Sequence, residues 1–182
     1  MKNAIEMIIR YRSFVGILGL VALLYWAEPS PRSVAVGFFF IVAGMVFRAW
    51  ASGYINKDIE LATAGPFSLT RNPLYFGNFV LGLGIAIAGN NLPSYLLFFA
   101  FYLSFFPFLM ALEHKRLKKK FGKQYEDYAK NSHSFLPKIK KVKKGEFDIS
   151  LYMRNREYRV LYFSLFVIAI MILKVLKIIR SY

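Results

Sequence analysis

The polar residues best suited to chemistry stand on either side of a long apolar stretch of the chain. Before it comes the run Arg71-Asn72-Pro73-Leu74-Tyr75, and after it comes Glu113. Pro73 keeps Asn72 out of helical geometry and is favoured as the first residue of a helix, which makes Asn72 a candidate N-cap. Amides exposed at such a helix start favour an anionic ligand group such as a carboxylate. The alternative is an ordinary capped loop.

Glu113 opens a second patterned segment. Glu113, Leu117 and Phe121 follow one another at four-residue spacing, and Tyr125 and Tyr128 continue the same face if a helix resumes after Gly122. Lysines cover the rest, so an amphipathic helix with a carboxylate at its membrane end is predicted. The alternative is a helix lying on anionic lipid, with Glu113 paired to a lysine.

Arg48 interrupts an otherwise apolar run about one turn before its end. A charge at such a depth must reach water, a partner acid or a ligand. Asp58 and Glu60 follow in the next polar segment and are the candidate partners. Snorkelling of the side chain to the membrane interface is the alternative.

The amino-acid composition excludes several kinds of functional site. The chain has no cysteine and only two histidines, His114 and His133. This excludes disulfides and a cysteine nucleophile, and no metal site is predicted. The net charge of +15 comes from basic residues that flank apolar runs. Anionic lipid headgroups are therefore a better partner than nucleic acid, which is not expected to bind.

The elements that must position these residues are membrane helices. Of the 182 residues, 57% are hydrophobic, and the mean hydropathy is +0.40, which is too apolar for a soluble chain of this size. We predict an all-α polytopic membrane protein with about five transmembrane helices, at residues 14–27 (extended backwards to Met7), 34–51, 76–89, 95–112 and 160–179. Pro107 is expected to kink the fourth of them.

A hairpin of the third and fourth helices returns the chain to the membrane face from which it started. Arg71, Asn72, Tyr75 and Glu113 are therefore expected to share one site. Twelve lysines and arginines between residues 115 and 144 place this face in the cytoplasm by the positive-inside rule. Gly77 permits close approach of a ligand or, more commonly, of a neighbouring helix. The last helix either spans with Lys174 snorkelling, which we favour, or lies along the inner surface.

The sequences GPFSLTRNPLYFGN and EHKRLKKKFGKQYEDYAKNSHSFLP, joined by a hairpin of about 35 residues, resemble the isoprenylcysteine carboxyl methyltransferase and phospholipid methyltransferase family. The resemblance covers roughly residues 48–137. It implies a membrane enzyme that binds S-adenosylmethionine from the cytoplasm and methylates a lipophilic acceptor from the bilayer. His114 departs from the family's second glutamate.

The resemblance also implies roles for particular residues. Glu113 is expected to bind the ammonium group of S-adenosylmethionine, and Arg71 and Asn72 its carboxylate. Tyr75, Tyr125 and Tyr128 stand at the family's aromatic positions around the same ligand. Arg48 could orient a carboxylate acceptor, whereas an amine acceptor would need Glu60 or His114 to remove its proton.

Two other functions stay open at this point. Steroid and polyprenol reductases resemble this layout as well and use NADPH, and a non-enzymatic scaffold could bind anionic lipid through the lysines alone. We expect three parts, residues 1–52, 53–137 (the catalytic core) and 138–182, in a prokaryotic plasma membrane. The acceptor and the oligomeric state do not follow from the sequence.

Overall fold

A computed structural model describes the backbone of residues 2–56 and 59–177 and the side chains of residues 11–56 and 59–177. Within these residues the fold is all-α, as predicted, and the only strand-like pairing is an isolated parallel bridge between Thr70 and His133. A short 3-10 helix lies at Gly65–Ser68. The α-helices are α1 (Lys2–Trp26), α2 (Pro31–Ser52), α3 (Pro73–Gly89), α4 (Leu92–Lys130), α5 (Ile149–Arg154) and α6 (Tyr158–Val175).

Three of the described helices, α2, α4 and α6, are long and apolar enough to cross a membrane. Residues Tyr11–Trp26 of α1 and the whole of α3 are apolar but shorter. Large apolar side chains on the outer faces of these helices are exposed, with Phe39 at 67% and Leu103 at 65%. A soluble protein would not leave so much of this surface in water, so the prediction of a polytopic helical membrane protein is confirmed.

The turns between the helices follow from local residue types. Ser30 caps α2 in a reciprocal capping box with Ser33, and Pro31 occupies the first helical position. Between α3 and α4, Asn90 adopts left-handed backbone angles with φ 57°. Asn91 then accepts a hydrogen bond from the backbone amide of Ser94 at 3.0 Å and so caps α4. The α3–α4 hairpin is therefore closed by local side chains, without any charged residue.

The helices α2 and α3 pack against each other through glycines. Gly37 of α2 lies against Gly84 of α3, and Gly44 lies against Gly77. A methyl group added at Gly44 would stand 2.6 Å from the backbone nitrogen of Leu81, far inside contact distance. Small residues of this kind let helix backbones touch in a membrane. The packing function that sequence favours for Gly77 is thus what the structure shows.

Helix α4 is long because it continues past its apolar half into the lysine-rich segment. Pro107 lies inside it with helical backbone angles, and the one non-helical residue is Gly122, with φ 50° and ψ −125°. The helical backbone is therefore interrupted at Gly122, and a kink at Pro107 stays a prediction. A glycine tolerates these angles because it has no Cβ, and the helix resumes after it, as predicted.

Helix α6 runs the length of the bundle. Glu157, at its start, contacts Arg48 of α2. Lys174, in its last turn, donates hydrogen bonds to the carbonyl oxygens of Tyr25 and Ala27, both at 2.9 Å, at the end of α1. By length and composition α6 is able to span a membrane, which sequence favours, and the spanning itself stays a prediction. Lys174 is 5% exposed, so the expectation that it snorkels is wrong.

One apolar core holds helices from all three predicted parts together. Leu23 of α1, Ile41 of α2, Leu81 of α3 and Met171 of α6 are buried in the same cluster. The division into three parts at residues 52 and 137 stays a prediction.

Candidate functional site

A cavity of about 520 Å³ lies where α1, the loop before α3 and the charged half of α4 meet. Its walls hold seven of the ten predicted site residues, contributed by segments far apart in sequence. The hairpin therefore brings both patterned segments to one place. The seven are Arg48, Glu60, Arg71, Asn72, Tyr75, Glu113 and Tyr128.

Residues 70–72 are held in place by the basic segment, which we define as residues 131–148. The buried hydroxyl of Thr70 donates to the carbonyl oxygen of Phe135 at 2.9 Å. The amide of Arg71 donates to His133 at 2.9 Å, and the side-chain amide of Asn72 donates to Ser134 at 2.7 Å. These bonds fix the backbone from which Arg71 and Asn72 face the cavity.

Asn72 occupies the N-cap position of α3, and Pro73 is the first helical residue, as predicted. The side chain of Asn72 makes no capping bond, however, because it donates to Ser134 instead. The predicted capping interaction is therefore wrong, although the position is correct. The first turn of α3 keeps its amides without a side-chain cap, which suits an anionic ligand group.

Tyr75 lies one turn into α3 and forms the cavity wall nearest the apolar core. Its ring packs edge-on against Phe106 of α4, with ring centroids 5.6 Å apart. Its carbonyl oxygen accepts a hydrogen bond from the Tyr102 hydroxyl at 3.1 Å. The aromatic cluster of the α3–α4 hairpin thus sets the position of this ring.

Glu113 lines the cavity at the end of the apolar half of α4. Its carboxylate lies 3.8 Å from the guanidinium of Arg116, and its side chain is 38% exposed. An ion pair of this length between exposed groups is weak, so the carboxylate can change partner when a cationic ligand arrives. Leu117 and Phe121 line the same cavity, which agrees with the predicted helical face.

The two tyrosines after Gly122 differ in their placement. Tyr128 lines the cavity and donates its hydroxyl to the carbonyl oxygen of Phe67 at 2.7 Å. Tyr125 is buried behind the cavity, with its hydroxyl 2.9 Å from Nδ1 of His114. Burial raises the pKa of both phenols, which lie beyond the apolar half of α4. Both are therefore neutral near pH 7.

The structure does not place His114, Tyr125 or Gly77 on the cavity wall. His114 is directed at Tyr125 across the break at Gly122 and so helps to hold the two halves of α4 together. Gly77 lies against Arg48 and Gly44 on the side facing α2. Of the two candidate proton acceptors, only Glu60 lies at the cavity.

Arg48 makes a contact that sequence analysis missed. Its Nε donates to Oε1 of Glu157 at 2.5 Å, and its Nη1 donates to Oδ1 of Asn78 at 2.5 Å. Asp58, one predicted partner, lies outside the described residues. Glu60 shares the cavity but does not pair with Arg48. Because the Arg48 side chain is only 13% exposed, snorkelling to the interface is also wrong.

A second cavity of about 180 Å³ lies deeper in the bundle. It is lined almost entirely by apolar side chains of α1, α3 and α4, with Phe163 of α6. Asn78 is the polar exception, and it lines both cavities. A polar chamber and an apolar chamber therefore share one wall.

Sequence analysis missed four other polar residues of the cavity wall, Arg12, Asn56, Asn78 and Arg116. Asn78 stands three residues after Tyr75, a spacing that puts both side chains on one face of α3. From this spacing, Asn78 could have been predicted as a site residue. Nothing local marks Arg12, which reaches the cavity only because α1 packs beside α4.

The described residues thus form a helix bundle in which a polar cavity lies beside an apolar one, with room for a polar and a lipophilic ligand. The profile of the phospholipid methyltransferase family matches residues 14–124, and the chain belongs to this family.

Several relatives are similar over part of the chain. The nickel-cobalt-cadmium resistance protein NccN of Alcaligenes xylosoxydans xylosoxydans is 34% identical over 114 residues, covering 60% of this chain and 52% of the relative. The cobalt-zinc-cadmium resistance protein CzcN of Cupriavidus metallidurans is 31% identical, covering 69% and 60%. The protein-S-isoprenylcysteine O-methyltransferase of Schizosaccharomyces pombe is 34% identical, covering 54% and 42%.

The chain thus spans about half the length of the curated relatives that it matches. No solved structure matches it.

Proposed function

We propose that this protein is a membrane methyltransferase, which moves a methyl group from S-adenosylmethionine to a lipophilic acceptor. The observation that carries the proposal is the pair of cavities, polar and apolar, joined at Asn78. A soluble donor and a membrane-dissolved acceptor need two such chambers with one shared boundary. Methyl transfer needs the two reactants aligned and water excluded.

The polar cavity fits S-adenosylmethionine by size and by charge. Its volume of about 520 Å³ lies within the range of ordinary ligand sites. Glu113 supplies a carboxylate for the ligand's ammonium group. Arg71 and the uncapped first turn of α3 supply donors for its carboxylate. When bound, S-adenosylmethionine supplies a methyl group already activated by a sulfonium.

The remaining side chains orient and enclose the reactants. Tyr75 and Tyr128 line the cavity with aromatic rings. Arg48 stands beside Asn78 at the boundary between the cavities and is placed to orient the polar end of the acceptor. Tyr125 acts indirectly, since it packs edge-on against Tyr128 with ring centroids 6.1 Å apart. An amine acceptor would have Glu60 as its proton acceptor.

The acceptor is a lipid or another lipophilic molecule whose apolar part enters the second cavity. An S-isoprenylated cysteine, as in the name of the yeast relative, and a phospholipid amine are the two classes to compare. The basic end of the bundle faces the cytoplasm of a prokaryotic plasma membrane in this proposal, with its lysines on anionic lipid.

Isothermal titration of detergent-purified protein with S-adenosylmethionine tests the donor. We expect saturable binding that S-adenosylhomocysteine competes and NADPH does not. Glu113→Gln should weaken binding at least tenfold, because the ligand's ammonium loses a charged partner. Glu146→Gln, an exposed glutamate of the basic segment, is the matched control and should leave binding unchanged.

Other outcomes would identify the alternatives. Binding of NADPH without S-adenosylmethionine would indicate a reductase. A scaffold would bind neither, and its liposome binding would fall in a Lys118→Ala, Lys119→Ala, Lys120→Ala triple variant. Metal binding has no support in the described residues, which contain no group of three or more His, Asp or Glu side chains able to hold an ion.

A further inference from the structure

Glu157 is a buried carboxylate that the proposed function does not yet use. It is 7% exposed and stands at the start of α6, outside residues 14–124 that match the family. A buried carboxylate is costly unless a charged partner compensates it. Its partner is Nε of Arg48 at 2.5 Å, so the two charges are buried as a pair.

Arg48 is held by more than this one bond. Its Nη1 donates to Oδ1 of Asn78 at 2.5 Å and lies 3.5 Å from the carbonyl oxygen of Leu74. Two of the three guanidinium nitrogens are thus tied to α3 and α6. Within the described part of the chain, Nη2 has no hydrogen-bond partner, and Arg48 lines the polar cavity.

The location of this network matters because Asn78 belongs to both cavities. Arg48 therefore stands where the polar end of an acceptor in the apolar cavity would meet the donor. The guanidinium of arginine is a rigid plane, so hydrogen bonds at both Nε and Nη1 fix its orientation.

We propose that Glu157 is a positioning residue, which acts through Arg48 to orient the acceptor. Glu157 fixes the plane of the guanidinium, and Nη2 is left to bind the acceptor's polar group at the boundary of the two cavities. The C-terminal helix thereby completes a site whose other residues precede residue 129. This inference rests on the proposed function, and it assigns to Glu157 no contact with either reactant.

A double-mutant cycle tests it, with Glu157→Gln, Arg48→Gln and the double variant. The assay follows transfer of labelled methyl from S-adenosylmethionine to an S-farnesylated cysteine in detergent micelles. We expect Glu157→Gln to lower kcat/KM for this acceptor by about 10- to 100-fold, as misplacement of an orienting group does. The affinity for S-adenosylmethionine should change less than about twofold, and the double variant should match Arg48→Gln alone.

Losses that multiply in the double variant would overturn the proposal, because Glu157 would then act independently of Arg48. An equal loss of S-adenosylmethionine affinity would overturn it as well and would indicate a merely structural residue. Glu146→Gln is the control for removing a carboxylate near α6, and it should change neither quantity.

A spectroscopic measurement separates this inference from the proposed function. The Nε–H signal of Arg48 in nitrogen-15 spectra should move or broaden in Glu157→Gln and stay unchanged in Glu146→Gln. An unmoved signal in Glu157→Gln overturns the positioning role, whether or not the S-farnesylated cysteine is methylated. Wild-type protein that does not bind S-adenosylmethionine would instead overturn the methyltransferase donor, with the arginine signal unaffected.

Discussion

Two regions of the molecule are held together in different ways. One is the seam between α2 and α3, and the other is the junction between the polar loop (residues 53–72) and the basic segment. At the seam, glycines bring two backbones into contact, with almost no side chain between them. At the junction, two segments with little regular structure are joined by hydrogen bonds from Thr70, Arg71, Asn72 and Lys138. The seam forms because its glycines have no side chains that would keep the helices apart, whereas the junction forms because its polar groups are hydrogen-bonded to each other.

This difference shows that the apolar and polar parts of the fold are stabilised by different interactions. Within the membrane, close packing and dispersion replace the hydrophobic effect as the force that joins helices. Outside it, water competes for every backbone group, so the loop keeps its shape only where partners are supplied. The site lies between the two regions and takes Arg48 from the first and Arg71 and Asn72 from the second.

Adding volume at the seam should have the largest effect. Gly44→Val places a branched side chain where even a Cβ would lie 2.6 Å from the backbone of Leu81, so the helices must separate. We expect a loss of about 3 kcal/mol in stability, measured by denaturation in detergent. Gly19→Ala on α1 is the matched control, since nothing lies within 4 Å of its added methyl group. Equal losses in both variants would contradict the role of the seam.

Removing one polar partner at the junction should have a smaller effect. Thr70→Val keeps the shape of a fully buried side chain but removes the bond to Phe135. We expect a loss of about 1–3 kcal/mol, because the partly buried carbonyl of Phe135 loses its donor. Hydrogen exchange of the basic segment should rise.

Thr63→Val, in the same loop but without a hydrogen bond among the described residues, is the control for the Thr70 variant. Exchange in the basic segment that is unchanged in Thr70→Val would show that the segment is held by other contacts.

An exposed ion pair beside the junction should have the smallest effect. Lys118 lies 2.8 Å from Glu126 across the break at Gly122, and both side chains are largely in water. Such pairs contribute little to stability. Lys118→Ala should therefore melt at the same temperature as the control variant Lys119→Ala, which replaces a neighbouring lysine outside this ion pair. A clear deficit in Lys118→Ala alone would show that the pair closes the break in α4.

Sequence reasoning succeeded where the information was local. The apolar runs, Pro73 at the start of α3 and the face formed by Glu113, Leu117 and Phe121 each follow from spacing within a few turns. The convergence of Asn72 and Glu113 also follows, because a tight hairpin leaves little freedom in where its two ends meet. These features carry most of the fold and the outline of the site.

The remainder depended on contacts between distant segments. The partner of Arg48 is 109 positions away, and two nearer acids were equally plausible from sequence. Asn72 lost its predicted cap because a carbonyl of the basic segment competes for the side chain, which spacing does not reveal. Helix α4 is interrupted at Gly122, whose positive φ is tolerated because glycine has no Cβ.

Helix α6 is fastened by a charged side chain at each end, Glu157 to Arg48 and Lys174 to the end of α1. Seventeen residues of helix separate these anchors, a rise of about 26 Å, close to the thickness of a bilayer's hydrocarbon core. The two contacts are thus separated by about the thickness of the apolar layer that a spanning helix crosses. Because both ends are fixed to other helices, α6 cannot slide along the bundle without breaking the ion pair with Arg48 or the hydrogen bonds of Lys174.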